Sequence, residues 1–215
     1  MLTTANNKYP FFDLLEIIPD ADISIRSFKP LRPVKAGNII PDFTLSTEYT
    51  RWQHFYNGAP THGPILLKQL LSRPLVISFY SRHWKQNGLD QLKQLNAAQN
   101  EIKANGGNLL IIAAEKGDEQ LAKYAWENGV SLNFYYDNHN ELAKKFRVYS
   151  EEDPTWNRFS GIDENVPLLA TYVIDTSKQL VYDHIDRDFL GTFSVQNILS
   201  AVYESALILN SRKSA

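Results

Sequence analysis

One stretch limits what this chain can fold into more than any other: Leu75-Val-Ile-Ser-Phe-Tyr-Ser-Arg-His-Trp-Lys-Gln-Asn-Gly-Leu-Asp-Gln-Leu92. Leu75 to Phe79 is a short apolar run of the kind that fits a strand covered on both faces. Leu89, Leu92, Leu95 and Ile102 then recur at helical spacing. A strand, a tight turn and a helix in that order place Arg82 to Asn87 at a helix N-terminus, beyond the carboxyl end of a strand. In open α/β sheets this is where ligands and reacting groups gather.

The remaining elements extend this unit. Ile65 to Leu71 reads as a short helix ended by Pro74, and Asn108 to Ala114 as a second apolar strand after Asn105-Gly-Gly. A helix around Asp118 to Asn128 follows, so the strands should form parallel βαβ units with right-handed crossovers. Leu132 to Tyr136 is a third strand and Glu141 to Phe146 a short helix; Tyr149 to Val166 is polar and loop-like. Pro167 to Asp175, a turn over Thr176–Gln179 and Leu180 to Ile185 make an antiparallel hairpin. The chain closes on Val195, Ile198, Leu199, Val202, Tyr203, Ala206 and Leu209, a stripe that buries one helix face. The expected class is α/β, with a mixed sheet and packed helices.

Residues 1–33 read as an N-terminal extension and 34–215 as the domain. The extension holds six large hydrophobes between Phe11 and Ile18 and a short strand at Ile23–Arg26. Such a cluster does not stay in water, so it packs either on its own domain or on a partner, as in a homodimer. The aromatic stretch from Tyr49 to Tyr56, within the 46–64 connection, reads as a hairpin or irregular loop that seals a sheet edge or carries function.

At 215 residues, 43% hydrophobic and 21% charged, the chain suits one well-packed domain with extensions. A net charge of −2 offers no general attraction to nucleic acid or anionic membranes. No run of apolar residues is long enough to span a bilayer and no basic-then-apolar leader is visible, so a cytoplasmic location is expected. The five histidines, at 54, 62, 83, 139 and 184, have no metal-ligand spacing, and no metal or cofactor is expected. Ser78 and Ser81 lack a nucleophile-elbow context, and Gly106-Gly107 precedes a strand where a phosphate loop would follow one.

Several motifs carry a resemblance. Phe79-Tyr80 through Trp84-Lys85-Gln-Asn-Gly88 to Leu92 resembles the active-site turn of the peroxiredoxin-like branch of the alkyl hydroperoxide reductase/thiol-specific antioxidant family. Gly37 and Pro41-Asp-Phe-Thr-Leu45 resemble its entry segment, Ala143-Lys-Lys-Phe146-Arg-Val148 its short helix, and Ala170-Thr-Tyr-Val-Ile-Asp175 with Asp186-Arg-Asp-Phe189 its late strand and following loop. The resemblance implies a thioredoxin-like, peroxiredoxin-like fold, a central mixed sheet flanked by helices on both faces.

It also implies a site that has lost its parts. The peroxidatic cysteine of the family falls on Lys85, the second cysteine on Gly88, and the proline that faces them on Leu169; the chain contains no cysteine. In such a site a helix N-terminus, worth about +0.5 charge, helps to ionise the thiol. A lysine starts near pKa ~10.4 and the same dipole shifts it by less than about one unit, so Lys85 is a fixed cation and not a nucleophile. The expected activity is therefore binding and not thiol peroxidation; the alternative is an enzyme using other chemistry in the same pocket. Arg82, His83, Trp84, Lys85 and Gln86 form a candidate site for a small anion. The plainer alternative is that Lys85 points to solvent while Trp84 packs in the core.

Overall fold

The computed structural model describes residues 30–45, 55–56, 59–60, 64–115, 119–186 and 191–213. The apolar cluster at 11–18, the expected strand Ile23–Arg26, most of the 46–64 connection and residues 187–189 of the late motif lie outside these described residues.

Five strands form the central sheet: β5 (Leu75–Tyr80), β6 (Asn108–Ala113), β7 (Phe134–Tyr136), β8 (Ala170–Ile174) and β9 (Leu180–Ile185), in spatial order β7-β6-β5-β8-β9. β5 pairs parallel with β6, and β6 with β7, while β8 runs antiparallel to both β5 and β9. The mixed sheet expected from the sequence is thus present. Every residue of β5, β6 and β8 is buried, which is why these strands read as apolar runs without alternation.

Each face of the sheet carries its own core. On one, Val76, Tyr80, Ile111 and Val173 pack with α2 (Lys85–Ala104), α3 (Glu119–Glu127) and α5 (Val195–Lys213), through Leu92, Leu95, Leu121 and Val202. On the other, Ile77, Phe79, Ile112 and Tyr172 pack with α1 (Leu67–Leu70) and α4 (Glu141–Lys145), and with Trp84, Phe146 and Phe159. Inside the first core a polar triad ties helix to sheet: the Gln91 amide donates to Ser78 Oγ at 2.9 Å and Thr171 Oγ1 at 2.7 Å, and Ser78 and Thr171 face each other across β5–β8. All three are buried, so each needs the other two.

Several boundaries differ from the sequence reading, for tertiary reasons. Ile65 and Leu66 are not helical: they form β4, paired with β1 (Thr44–Leu45), before α1 begins. β7 starts at Phe134, where pairing with Ile111 begins, and not at Leu132. Within the 46–64 connection, β2 (Phe55–Tyr56) and β3 (Ala59–Pro60) form a minimal hairpin. Among the described residues no helix is long and apolar enough to cross a membrane.

Candidate functional site

β5 and β6 end together: Tyr80 is in register with Ala113, and the Ala114 amide donates to Tyr80 O at 3.0 Å. The residues just past both strands therefore meet. Glu115 turns its carboxylate onto the start of the 3₁₀ turn Arg82–Trp84, where Oε2 accepts the Arg82 amide at 3.1 Å and Oε1 accepts the Ser81 hydroxyl. Ser81 Oγ accepts the His83 amide at 3.2 Å. The Arg82, His83 and Trp84 amides of the turn are thus taken by groups of the chain itself, while no side chain caps the N-terminus of α2.

The expected site residues are also engaged, mostly with the 153–167 loop. Trp84 is 2% exposed, its indole N–H donates to Pro167 O at 2.8 Å, and its ring meets Phe159 edge-on at 4.9 Å. His83 Nε2 lies 3.4 Å from Glu164 Oε2, and Arg82 Nε lies 3.5 Å from the same imidazole nitrogen. Lys85, exposed at the head of α2, donates from Nζ to Gly161 O at 2.9 Å. Gln86 turns along the helix to Asp90, at 2.6 Å. Arg82, His83, Trp84 and Lys85 thus share one end of the sheet, where His83, Trp84 and Lys85 face partners in the 153–167 loop and Arg82 faces His83. Lys85 neither projects freely into solvent nor enters the core.

Two further positions explain themselves by packing. A Cβ on Gly88 would stand 3.1 Å from Trp84 Cβ and 3.1 Å from the Tyr80 ring, closer than side chains normally approach. Glycine lets the first turn of α2 sit this close to β5 without Trp84 or Tyr80 having to give by a few tenths of an ångström. Leu169 is 3% exposed, lies in the same apolar cluster as Trp84, and accepts the Asp186 amide on its carbonyl at 2.9 Å. Lys85 itself has φ +49 and ψ −129, a backbone conformation that side chains rarely adopt and that costs about 1–3 kcal/mol.

Sequence reasoning missed Ser81, Glu115, Phe159, Gly161 and Glu164. The parallel register could have pointed to Glu115, because strands that end level bring their next residues together; the loop partners leave no local signal. Among the described residues no group of three or more His, Asp or Glu side chains is placed to hold a metal ion.

The chain matches the AhpC/TSA family over residues 36–183. No curated protein sequence matches it. Among solved structures it is similar to the peroxidoxin BcpB from Mycobacterium tuberculosis, with TM-score 0.57, 19% identity, and cover of 80% of this chain and 97% of that one. It is also similar to the mitochondrial 2-Cys peroxiredoxin from Plasmodium falciparum, with TM-score 0.59, 14% identity and cover of 82% and 96%. A peroxiredoxin-like protein from Aquifex aeolicus gives TM-score 0.57, 11% identity and cover of 83% and 90%. At these identities the structural likeness concerns the fold.

Proposed function

We propose, from the premise that this chain belongs to the AhpC/TSA family, that it is a binding protein built on the peroxiredoxin-like fold and inactive as a thiol peroxidase. One observation carries this reading. The family's nucleophile position holds Lys85, whose ammonium is hydrogen-bonded to Gly161 O, in a chain with no cysteine anywhere. Peroxide reduction by a thiolate forms a sulfenic acid that a second thiol resolves, and neither sulfur exists here.

The surroundings support the same reading. The Glu115 carboxylate accepts the Arg82 amide and the Ser81 hydroxyl, so the turn that leads into α2 already carries a negative charge of its own. A small anion at Arg82–Gln86 must compete with that carboxylate, which favours ligand binding elsewhere on the domain. Association through the N-terminal extension, as a homodimer or with another protein, belongs to the same proposal and rests on the cluster between Phe11 and Ile18.

The test is peroxide consumption by the purified full chain with a dithiol reductant, with and without thioredoxin. The expected rate equals that of the reductant alone; turnover proportional to protein concentration contradicts the reading. Turnover without any thiol would favour an enzyme using different chemistry in this pocket.

A further inference from the structure

A cavity of about 510 Å³ opens between the segment that enters the domain and the end of α4, and its lining includes Pro30, Leu31, Arg32, Lys144, Arg147 and Tyr149. We propose that it is a binding site for a phosphate monoester with a flat, largely apolar body, of nucleoside monophosphate size. The proposal deepens the binding reading above by naming a ligand class, at a place that shares no residue with the Arg82–Gly88 turn.

Charge is the first argument. Arg32, Lys144 and Arg147 face a single lining carboxylate, Glu152. Lys144 is committed to Glu151 at 3.1 Å. Among the described residues, however, neither the Arg32 nor the Arg147 guanidinium has an ion pair or side-chain hydrogen bond. Two uncommitted guanidiniums suit a phosphate dianion, which they grip through paired N–H donors. The buried carboxylate of Asp153 does not cancel this, since Arg158 pairs with it.

Preorganisation is the second. One wall is fixed where the Leu31 amide donates to Asp153 Oδ2 at 2.5 Å and the Val34 amide to Phe146 O at 3.1 Å. The other is fixed where Asn165 donates to Ser150 O at 2.9 Å and the Leu168 amide to Val148 O at 2.8 Å. The space therefore exists before any ligand arrives, and its volume falls in the range of about 300–1,000 Å³ usual for small-molecule sites. Pro30, Leu31 and the half-buried Tyr149 give the cavity an apolar side for the ligand's body.

Backbone strain is the third. Arg147 has φ +54, at a turn where glycine would fit without cost, yet the position carries a long cation that lines the cavity. Strain kept at such a place points to use of the side chain.

The experiment titrates the full chain with adenosine 5′-monophosphate at low salt by calorimetry, with adenosine and inorganic phosphate as controls. Saturable binding is expected at micromolar to low-millimolar levels, weakened by salt, with both controls at least about tenfold weaker. Arg147→Gly should lower affinity about tenfold or more while melting no lower than the parent, and Arg32→Ala should lower affinity similarly. No saturation by ~10 mM nucleotide, adenosine binding as well as its phosphate, inorganic phosphate binding as tightly as the nucleotide, or unchanged affinity in both variants would each overturn the proposal. If Arg147→Gly also unfolds, Arg32→Ala decides alone. Failure here leaves the peroxide result untouched, and peroxide turnover would leave this titration standing, so the two readings fail separately.

Discussion

The turn at Arg82–Gly88 and the cavity beside Arg147 both place cations next to strained backbone, yet they treat those cations differently. At the turn, Lys85 donates to Gly161 O, His83 Nε2 lies against Glu164 Oε2, and the Arg82 and His83 amides are covered by Glu115 and Ser81. At the cavity, Arg32 and Arg147 line open volume without such acceptors among the described residues. On the proposal made above, donors left over mark the binding site, and position within the fold does not. A turn whose Arg82 and His83 amides already have partners has less free energy to offer a ligand.

The largest test of this contrast is Trp84→Ala. Trp84 links the turn to the 153–167 loop through Pro167 and Phe159, so its loss should cost about 3–5 kcal/mol in urea unfolding. A cost below about 1 kcal/mol would mean that the loop does not hold the turn shut. Glu115→Ala comes next. It should destabilise the chain by about 1–3 kcal/mol, because the Ser81 hydroxyl and Arg82 amide lose their acceptor. It should also make melting respond to millimolar phosphate more than the parent does; equal response would show that Glu115 is not what excludes anions from Arg82–Gln86.

Arg147→Gly should change stability little and upward, by at most about 1 kcal/mol, since relief of left-handed strain outweighs the unfolded-state entropy of glycine. A clear loss of stability would make Arg147 a structural residue. The smallest effect concerns His184, on edge strand β9 beside Phe193. Burial lowers its pKa from the ordinary 6.5, against the opposing pull of Asp186 and Asp183. The unfolded chain takes up this proton first, so stability held above pH 6.5 is lost as pH falls through the lower native value. His184→Asn should flatten that part of the stability profile, and a profile identical to the parent's would refute the assignment.

How much of this was legible follows from where each signal is stored. β5, β6 and β8 could be read because burial on both faces leaves an unbroken apolar run, and α2 because its stripe is local. β4 was hidden inside an apparent helix, since Ile65 and Leu66 are strand only through pairing with Thr44–Leu45. The turn's residues were found by order and spacing, but their state was not. Whether Lys85 meets solvent, an anion or Gly161 O depends on a loop 76 residues later in the chain. Arg147 was read only as part of a helix motif; the cavity beside it comes from the packing of residues 30–34 against 144–152, which no local pattern encodes.

The central claim is that this fold has lost the means of activating a thiol, and not merely the thiol. Lys85→Cys tests it most directly, alone, because a side chain at Gly88 would crowd Trp84 and Tyr80. The quantity to measure is the second-order rate of hydrogen peroxide with the new thiol across pH. The account predicts a rate no faster than that of a free thiol, with a pKa at or above the usual ~8.5, since the Glu115 carboxylate holds the Arg82 amide and adds negative charge to the turn. A thiol ionised well below neutrality and consuming peroxide orders of magnitude faster would contradict it.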